Sequence, residues 1–143
     1  MKVAEHAYNY ASFYENLNDI TPKNDYKKFF DENSYFEDPF HKVNGVEQIY
    51  PIFEKMYKTL VNPIFSVDEV ICSNSVAYIR WEFRYSLSKS AKTENFTGIS
   101  RVEFNHHGLV ISHIDYWDSA VHIYEKIPII GSILRFIKRK IND

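Results

Sequence analysis

Residues 35–49, YFEDPFHKVNGVEQI, decide how the chain is organised. The aromatic run before Pro39 is typical of a short strand, predicted over 34–38, because proline cannot continue a sheet ladder. The asparagine-glycine pair further on then predicts the capped start of a helix. Asp38 stands at the end of the predicted strand, and two interpretations of it are open. It is either a solvated turn acid, or a carboxylate held in an apolar hollow.

Helical periodicity lies on both sides of this stretch. Apolar residues recur at helical spacing over 5–18 and again over 44–60, and each segment has one apolar face. Between the strand and the first helix, Thr21 and Pro22 predict the N-cap and first residue of a short helix. Pro51 lies inside the third predicted helix, which therefore bends there or starts later than residue 44.

The apolar period changes to two after this third helix. Four strand-like runs are predicted, over residues 64–72, 75–87, 94–105 and 109–117. Polar turn residues separate them, which favours an antiparallel meander. Three helices followed by a meander predict an α+β fold and not a series of βαβ units.

The composition favours one domain built around a cavity. The chain has 143 residues, the usual size of a single domain. Aromatic residues make up 17% of it, more than a minimal core needs. Such an excess suits a cavity with flat apolar walls.

The charge and cysteine content exclude several classes of protein. A formal net charge of -2 gives no global attraction to nucleic acid, so no nucleic-acid partner is expected. The single Cys72 excludes an internal disulfide and a multi-cysteine metal site. Without an apolar leader or a membrane-length apolar run, the expected location is the cytoplasm. Phosphate-loop, dinucleotide-binding and nucleophile-elbow motifs are missing from the sequence.

His113 and Asp115 are the residues of the last predicted strand that are best suited to acid–base chemistry. Alternation puts both side chains on one strand face, two residues apart. The carboxylate would orient the imidazole for proton transfer, or the two would form a satisfied polar pair inside a wet cavity. A metal ion held by these two residues and Asp38 is a third hypothesis, which the local spacing does not favour. We expect no metal ion and no cofactor.

Three segments give the chain a resemblance to a known superfamily. They are FYENLND at 13–19, YFEDPF followed by NGVEQI at 35–49, and EFNHHGLVISHIDYWD at 103–118. Their order and spacing resemble the nuclear transport factor 2-like superfamily. It includes the ketosteroid isomerases, the SnoaL-like polyketide cyclases, scytalone dehydratase and limonene epoxide hydrolase. The resemblance covers residues 5–118. It implies a cone-shaped, curved antiparallel sheet that packs against three N-terminal helices and encloses a pocket.

The resemblance also implies roles for individual residues. Asp38 matches the general base of the ketosteroid isomerases, and Tyr14 matches their oxyanion donor. Where those enzymes keep a protonated carboxylic acid, the aligned residue of this chain is Ser100, whose hydroxyl is a weaker donor, and here the chain departs from the pattern of the steroid isomerases. With His113 and Asp115 added, the expected catalytic set is complete.

The superfamily fold implies a pocket and a partner surface as well. We expect the pocket to be lined by Tyr10, Phe36, Phe40, Phe53, Tyr57, Trp81, Phe83, Gly98, Ser100 and Trp117. The expected function is cofactor-independent acid–base chemistry, of the isomerase, cyclase or dehydratase kind, on a small apolar carbonyl compound. The alternative is a non-catalytic module that binds a ligand or a protein. A homodimer through the outer sheet face is expected from the superfamily.

The C-terminal segment has its own pattern. Residues 1–126 are predicted to form the domain, with Asp118 capping a helix up to about residue 126, and residues 127–143 to form a basic amphipathic tail. The tail would pack on the cone or a partner subunit, lie on an anionic membrane surface, or expose solvated charges. Packing is favoured because the apolar stripe is short and aliphatic, and membrane contact is the weaker hypothesis.

Overall fold

The computed structural model describes residues 2–122 and 128–142. The helices are α1 (Lys2–Glu15), α2 (Lys23–Lys27), α3 (Val46–Thr59), α4 (Ser119–His122) and α5 (Pro128–Asn142). The strands are β1 (Phe30–Glu37), β2 (Lys42–Asn44), β3 (Val61–Ser73), β4 (Val76–Ser86), β5 (Glu94–Phe104) and β6 (Val110–Tyr116). The predicted α+β class and the meander after the third helix are confirmed.

The six strands form one curved sheet in the order β2-β1-β6-β5-β4-β3. Every neighbouring pair is antiparallel except β1 and β6, which run parallel, with Phe36 opposite His113. The parallel pair is a detail that the expected antiparallel sheet did not contain. It is possible because α3 and the whole meander separate the two strands, which gives the chain room to return in the same direction.

The helix α3 begins later than residue 44, which was one of the two outcomes expected from its internal proline. Gly45 precedes it with φ +81°, and its N–H donates a 2.8 Å hydrogen bond to the Ser34 carbonyl. This left-handed conformation suits glycine. Pro51 stays inside the helix, whose buried face is formed by Val46, Ile49, Phe53 and Tyr57.

Two local predictions are wrong. The helix α2 starts at Lys23, not Pro22, and Thr21 does not cap it. The Thr21 hydroxyl instead accepts a hydrogen bond from the Asn18 N–H at 3.0 Å, which closes the preceding turn. The short strand β2 was not predicted, because three residues carry too little period to be recognised.

Alternation along β4 and β5 separates the core from the outer face. On β4 the inward residues are Ala77, Ile79, Trp81, Phe83 and Tyr85, all buried. On β5 they include the buried Gly98, Ser100, Val102 and Phe104. The outer face carries ion pairs, such as Arg80 with Asp68, and several exposed apolar residues. The predicted inward and outward sets of these two strands are confirmed.

The end of the chain is described in two pieces. Asp118 caps α4, because its Oδ1 accepts a hydrogen bond from the Val121 N–H at 3.0 Å. The rest of the helix predicted up to residue 126 lies outside the described residues. The following helix, α5, spans 15 residues. Within 2–122 and 128–142, the helices are too short or too polar to cross a bilayer.

Candidate functional site

A cavity of about 450 Å³ lies between α3 and the inner face of the sheet. Aromatic side chains form most of its wall, and Ile52, Met56 and Leu60 add aliphatic surface from α3. Eight residues expected at the site line it: Phe36, Asp38, Phe40, Phe53, Trp81, Phe83, Asp115 and Trp117. Its volume lies in the range of about 300–1,000 Å³ that small-molecule sites occupy.

Other residues expected at the site lie elsewhere. Tyr10, Tyr14, Ser100 and His113 line a separate space of about 20 Å³, at which Trp81 and Asp115 also lie. Tyr57 and Gly98 line neither space in the described part of the chain. The Tyr57 side chain is buried in the core, and its hydroxyl has no hydrogen-bond partner among the described residues.

A chain of hydrogen bonds connects the two spaces. Ser100 and Asp115 are opposite each other in the β5–β6 ladder. The Ser100 hydroxyl donates to Asp115 Oδ1 at 2.5 Å and accepts from Trp81 Nε1–H at 2.8 Å. The same Oδ1 lies 2.7 Å from His113 Nε2. On the other side of the ring, His113 Nδ1 lies 2.8 Å from the Tyr10 hydroxyl.

This arrangement fixes the Asp115 carboxylate. Oδ1 takes both hydrogen bonds, whereas Oδ2 accepts none from the described residues. The side chain is 15% exposed, against 3% for His113. Asp115 therefore lies on the wall of the larger cavity with one oxygen held and the other available, while His113 lies behind it.

The His113 ring is held by stacking as well as by hydrogen bonds. Its centroid is 5.0 Å from that of Phe36 and 5.4 Å from that of Tyr14, and both rings are within 26° of parallel to it. The Phe36 contact follows from the parallel pairing of β1 with β6. Because the ring cannot turn freely, its two nitrogens keep separate partners.

The network accommodates two charge states of His113. The Tyr10 hydroxyl donates to the Tyr14 hydroxyl at 3.2 Å, so His113 Nδ1 must then carry a proton to bond Tyr10. A second proton on Nε2 makes the imidazole a cation beside the Asp115 anion. If both hydroxyls rotate, Tyr10 donates to Nδ1, and a neutral imidazole still donates to Asp115. In both states every hydrogen bond of this network is formed.

The tyrosine hydroxyls themselves stay neutral. Burial raises the pKa of Tyr10 well above its ordinary value. The hydrogen bond between Tyr10 and Tyr14 lowers this pKa by a smaller amount, and the nearby Asp115 anion raises it further. Burial also raises the pKa of Tyr14. Both tyrosines are therefore neutral phenols: the Tyr10 hydroxyl is hydrogen-bonded to His113, and the Tyr14 hydroxyl is hydrogen-bonded to Tyr10.

Asp38 is engaged by its own turn. Its Oδ1 accepts a hydrogen bond from the Phe40 N–H at 2.8 Å, as expected for a turn acid. Its two oxygens also lie 2.9 and 3.1 Å from His41 Nδ1. His41 is half-exposed and lines the cavity. Sequence reasoning did not pair it with Asp38, although a histidine three residues after an acid, across a proline turn, is a usable signal.

Gly98 shapes the cavity wall indirectly. It lies opposite Trp81 in the β4–β5 ladder, and the indole ring covers it. A Cβ at residue 98 would come within 2.4 Å of the ring carbon Cη2. The glycine therefore allows the indole to lie flat on the sheet, where its N–H reaches Ser100.

Among the described residues, no three histidine, cysteine, aspartate or glutamate side chains converge as metal ligands do. Asp38, His113 and Asp115 therefore do not form a three-ligand cluster. The arrangement can bind an apolar molecule and exchange protons with it at Asp115 and His41.

Comparison with known proteins places this geometry in a family. The family model described as the SnoaL-like domain matches residues 10–113, most of the chain. The chain belongs to the SnoaL-like family. The resemblance to the nuclear transport factor 2-like superfamily is thereby confirmed. A search of curated proteins finds no match to this SnoaL-like chain.

Solved structures share the SnoaL-like fold at low identity. A protein of ketosteroid isomerase-like fold from Catenulispora acidiphila DSM 44928, solved with trimethylamine, has a TM-score of 0.70 at 12% identity, covering 83% of this chain and 89% of that one. A candidate SnoaL-like isomerase from Agrobacterium tumefaciens strain C58 has a TM-score of 0.65 at 15% identity, covering 82% and 97%. A candidate SnoaL-like polyketide cyclase from Shewanella putrefaciens CN-32 has a TM-score of 0.63 at 14% identity, covering 81% and 79%. At these identities the likeness shows the fold alone.

Proposed function

We propose that this SnoaL-like protein is a cofactor-independent acid–base enzyme acting on a small, largely apolar molecule with a carbonyl group. The observation that carries the proposal is the Asp115 carboxylate on the wall of the aromatic cavity. Ser100 and His113 hold its Oδ1, which leaves Oδ2 to face a bound molecule. A fixed carboxylate with apolar surroundings is suited to general base catalysis.

Two carboxylate–imidazole pairs at one cavity have opposite orientations. At Asp115 the carboxylate faces the cavity and the imidazole of His113 lies behind it. At Asp38 the carboxylate binds Nδ1 of His41, which leaves Nε2 of that ring for a bound molecule. One pair thus offers a base, and the other offers an oriented imidazole, which donates from Nε2 when the ring carries both protons.

The proposed reaction begins with proton transfer from carbon. Asp115 Oδ2 takes a proton from the carbon next to the carbonyl group, and the C–H electron pair moves into the carbonyl to give an enolate. With both ring nitrogens protonated, His41 donates a hydrogen bond from Nδ1–H to Asp38 and from Nε2–H to the enolate oxygen, and His113 stabilises Asp115 through Nε2. Return of the proton to another carbon is an isomerisation. In a cyclisation the enolate carbon attacks a second carbonyl of the same molecule, the C=O electron pair moves to its oxygen, and that oxygen takes the proton from Asp115. The names isomerase and polyketide cyclase, given to two neighbours of the fold, agree with this chemistry.

The proposal departs from the residue roles that the superfamily resemblance implied. Asp38 was expected to be the base, but its oxygens are occupied by the Phe40 N–H and by His41. Tyr14 was expected to donate to the substrate oxygen, but it lines the smaller space with His113. We therefore assign the base to Asp115, and Tyr14 to the support of His113.

The experiment separates binding from chemistry. Both tryptophans of the chain, Trp81 and Trp117, line the cavity, so quenching of their fluorescence reports binding. We would titrate 2-tetralone and a panel of other apolar ketones, and follow deuterium exchange at their α-carbons by NMR in D₂O. The wild-type protein should accelerate exchange, and Asp115→Asn should lower the rate by about 100-fold or more with binding retained.

Asp19→Asn, a change at an exposed acid outside the cavity, is the matched control and should leave the exchange rate unchanged. Ketones that bind without any acceleration of exchange would contradict the enzyme and support the non-catalytic binding module instead. A panel in which no ketone perturbs the fluorescence would contradict both.

A further inference from the structure

The helix α5 presents an apolar stripe to solvent. Ile133, Phe136, Ile137 and Ile141 are 54%, 52%, 47% and 77% exposed. Their spacing of three, four and eight residues from the first puts them on one side of the helix. Only Leu134, among the apolar side chains described in α5, is half-buried. The stripe is therefore not packed on the sheet. The favoured arrangement from sequence was packing on the cone or on a partner subunit, and its partner-subunit form stays a prediction.

The charge of α5 is opposite to that of the rest of the chain. The helix carries four basic residues and no acidic one: Arg135, Lys138, Arg139 and Lys140. The remaining residues include 13 basic and 19 acidic side chains. An anionic surface would thus attract this helix and repel the rest of the protein.

The position of Lys140 is typical of a lysine on a helix that lies between polar and apolar surroundings. Its Nζ lies 5.8 Å from the ring centroid of Phe136, so the alkyl stem runs beside the apolar stripe. A lysine at such a position extends its ammonium group towards lipid headgroups while its stem stays in apolar surroundings. The 15 residues of α5 make a helix of about 22 Å, which is too short to cross a bilayer but long enough to lie on one.

We propose that α5 anchors the protein to an anionic lipid bilayer, with the helix lying in the plane of the interface. The isoleucine and phenylalanine side chains enter the region between headgroups and acyl chains, and the basic side chains contact the anionic headgroups. A bilayer offers an apolar layer and a charged layer in one surface, which is the combination that α5 carries. This inference does not depend on the proposed enzymatic function.

The test uses the full chain and vesicle sedimentation. Vesicles of phosphatidylcholine alone are compared with vesicles of equal parts phosphatidylcholine and phosphatidylserine. We expect binding to the anionic vesicles to be at least about 100-fold stronger, since each basic residue near such a surface adds attraction. Raising the salt concentration should weaken it.

Two pairs of variants separate the apolar and the charged contributions. Ile133→Asn with Ile137→Asn should abolish binding, whereas Ile20→Asn, at an isoleucine that is exposed elsewhere, should not change it. Arg139→Gln with Lys140→Gln should weaken binding about 10-fold or more. Lys89→Gln with Lys92→Gln, the same charge change in an exposed loop, is its control.

Each remaining outcome contradicts the proposal. Wild-type protein that stays in the supernatant with both kinds of vesicle would overturn it, as would binding that the two α5 variants leave intact. Self-association lost on Ile133→Asn with Ile137→Asn, without vesicle binding, would show that the stripe meets a second copy of the chain. Light scattering on the same samples measures that self-association.

Discussion

Ser100 donates a 2.5 Å hydrogen bond to the carboxylate of Asp115, the residue opposite it on the neighbouring strand. The superfamily resemblance aligned this serine with the protonated acid of the ketosteroid isomerases. In this chain Ser100 has a different role, because its hydroxyl also accepts a hydrogen bond from the indole N–H of Trp81. Ser100 thus holds two side chains of the cavity wall in place.

We expect Ser100→Ala to lower the free energy of unfolding by about 1–3 kcal/mol, because it leaves the Trp81 N–H without an acceptor. Urea denaturation followed by tryptophan fluorescence measures this. Ser112→Ala, on the outer face of β6, is the control and should have a much smaller effect. Equal stability of the two variants would mean that the Ser100 hydroxyl does not satisfy the indole.

The close contact between Gly98 and Trp81 gives a second prediction. Gly98→Ala places a methyl group against the indole ring and should cost about 1–3 kcal/mol of stability. The cost should shrink when Trp81→Phe is added, because the smaller ring leaves room. A double-mutant cycle by urea denaturation checks this coupling. Additive effects of the two changes would argue that the ring does not lie over the glycine.

Alkaline pH should destabilise the protein through its buried tyrosines. Burial raises the pKa of Tyr10 and Tyr14 in the folded chain above the value of 10.0 that an unfolded tyrosine keeps. Their stabilising effect is complete below pH 10 and is lost above it, because the unfolded chain then releases protons that the folded chain retains. The free energy of unfolding, measured at a series of pH values, should fall above about pH 10.

Replacing both hydroxyls tests the source of this pH dependence. The double variant Tyr10→Phe, Tyr14→Phe should be less stable at neutral pH and should lose less stability between pH 10 and higher values. Tyr8→Phe, at an exposed tyrosine, should leave the pH profile unchanged. If the free energy of unfolding of the double variant fell with pH as steeply as that of the wild type, groups other than Tyr10 and Tyr14 would cause the loss of stability at alkaline pH.

The outer face of the sheet gives a prediction about assembly. Ile99 and Tyr116 are exposed neighbours on β5 and β6, and Ile71 and Tyr78 are exposed neighbours on β3 and β4. We expect this face to form the homodimer that the superfamily resemblance implies. Size-exclusion chromatography with light scattering should give a dimer for the wild type, and a monomer for Ile99→Asp.

The matched control for assembly is Ile20→Asp, which adds the same charge away from the sheet and should remain dimeric. A wild-type monomer at all concentrations would refute the dimer. If the Ile99→Asp variant remained dimeric, the dimer interface would lie on another surface.

Sequence periodicity predicted the longer helices and strands, and the inward faces of β4 and β5, because these depend on local spacing. The alternation that put His113 and Asp115 on one face is seen in the ladder, and their 2.7 Å contact follows from it. The contact of Tyr10 with His113 could not be predicted from the sequence, because it joins residues 103 positions apart and depends on how α1 packs. The engagement of Asp38 by His41 depends on the path of a proline turn, which residue types alone do not fix.

The parallel pairing of β1 with β6 has a consequence for the order of folding. Phe36 meets His113, which lies 77 positions later in the chain, whereas the strands of the meander pair with their immediate successors. Closing the longer loop costs more chain entropy, so we expect β4 and β5 to form first and β1 to dock last. Because β1 supplies Phe36 and leads into the Asp38 turn, the cavity would be completed only in this final step. Pulse-labelled hydrogen exchange during refolding tests this, since β1 amides protected as early as those of β4 would contradict it.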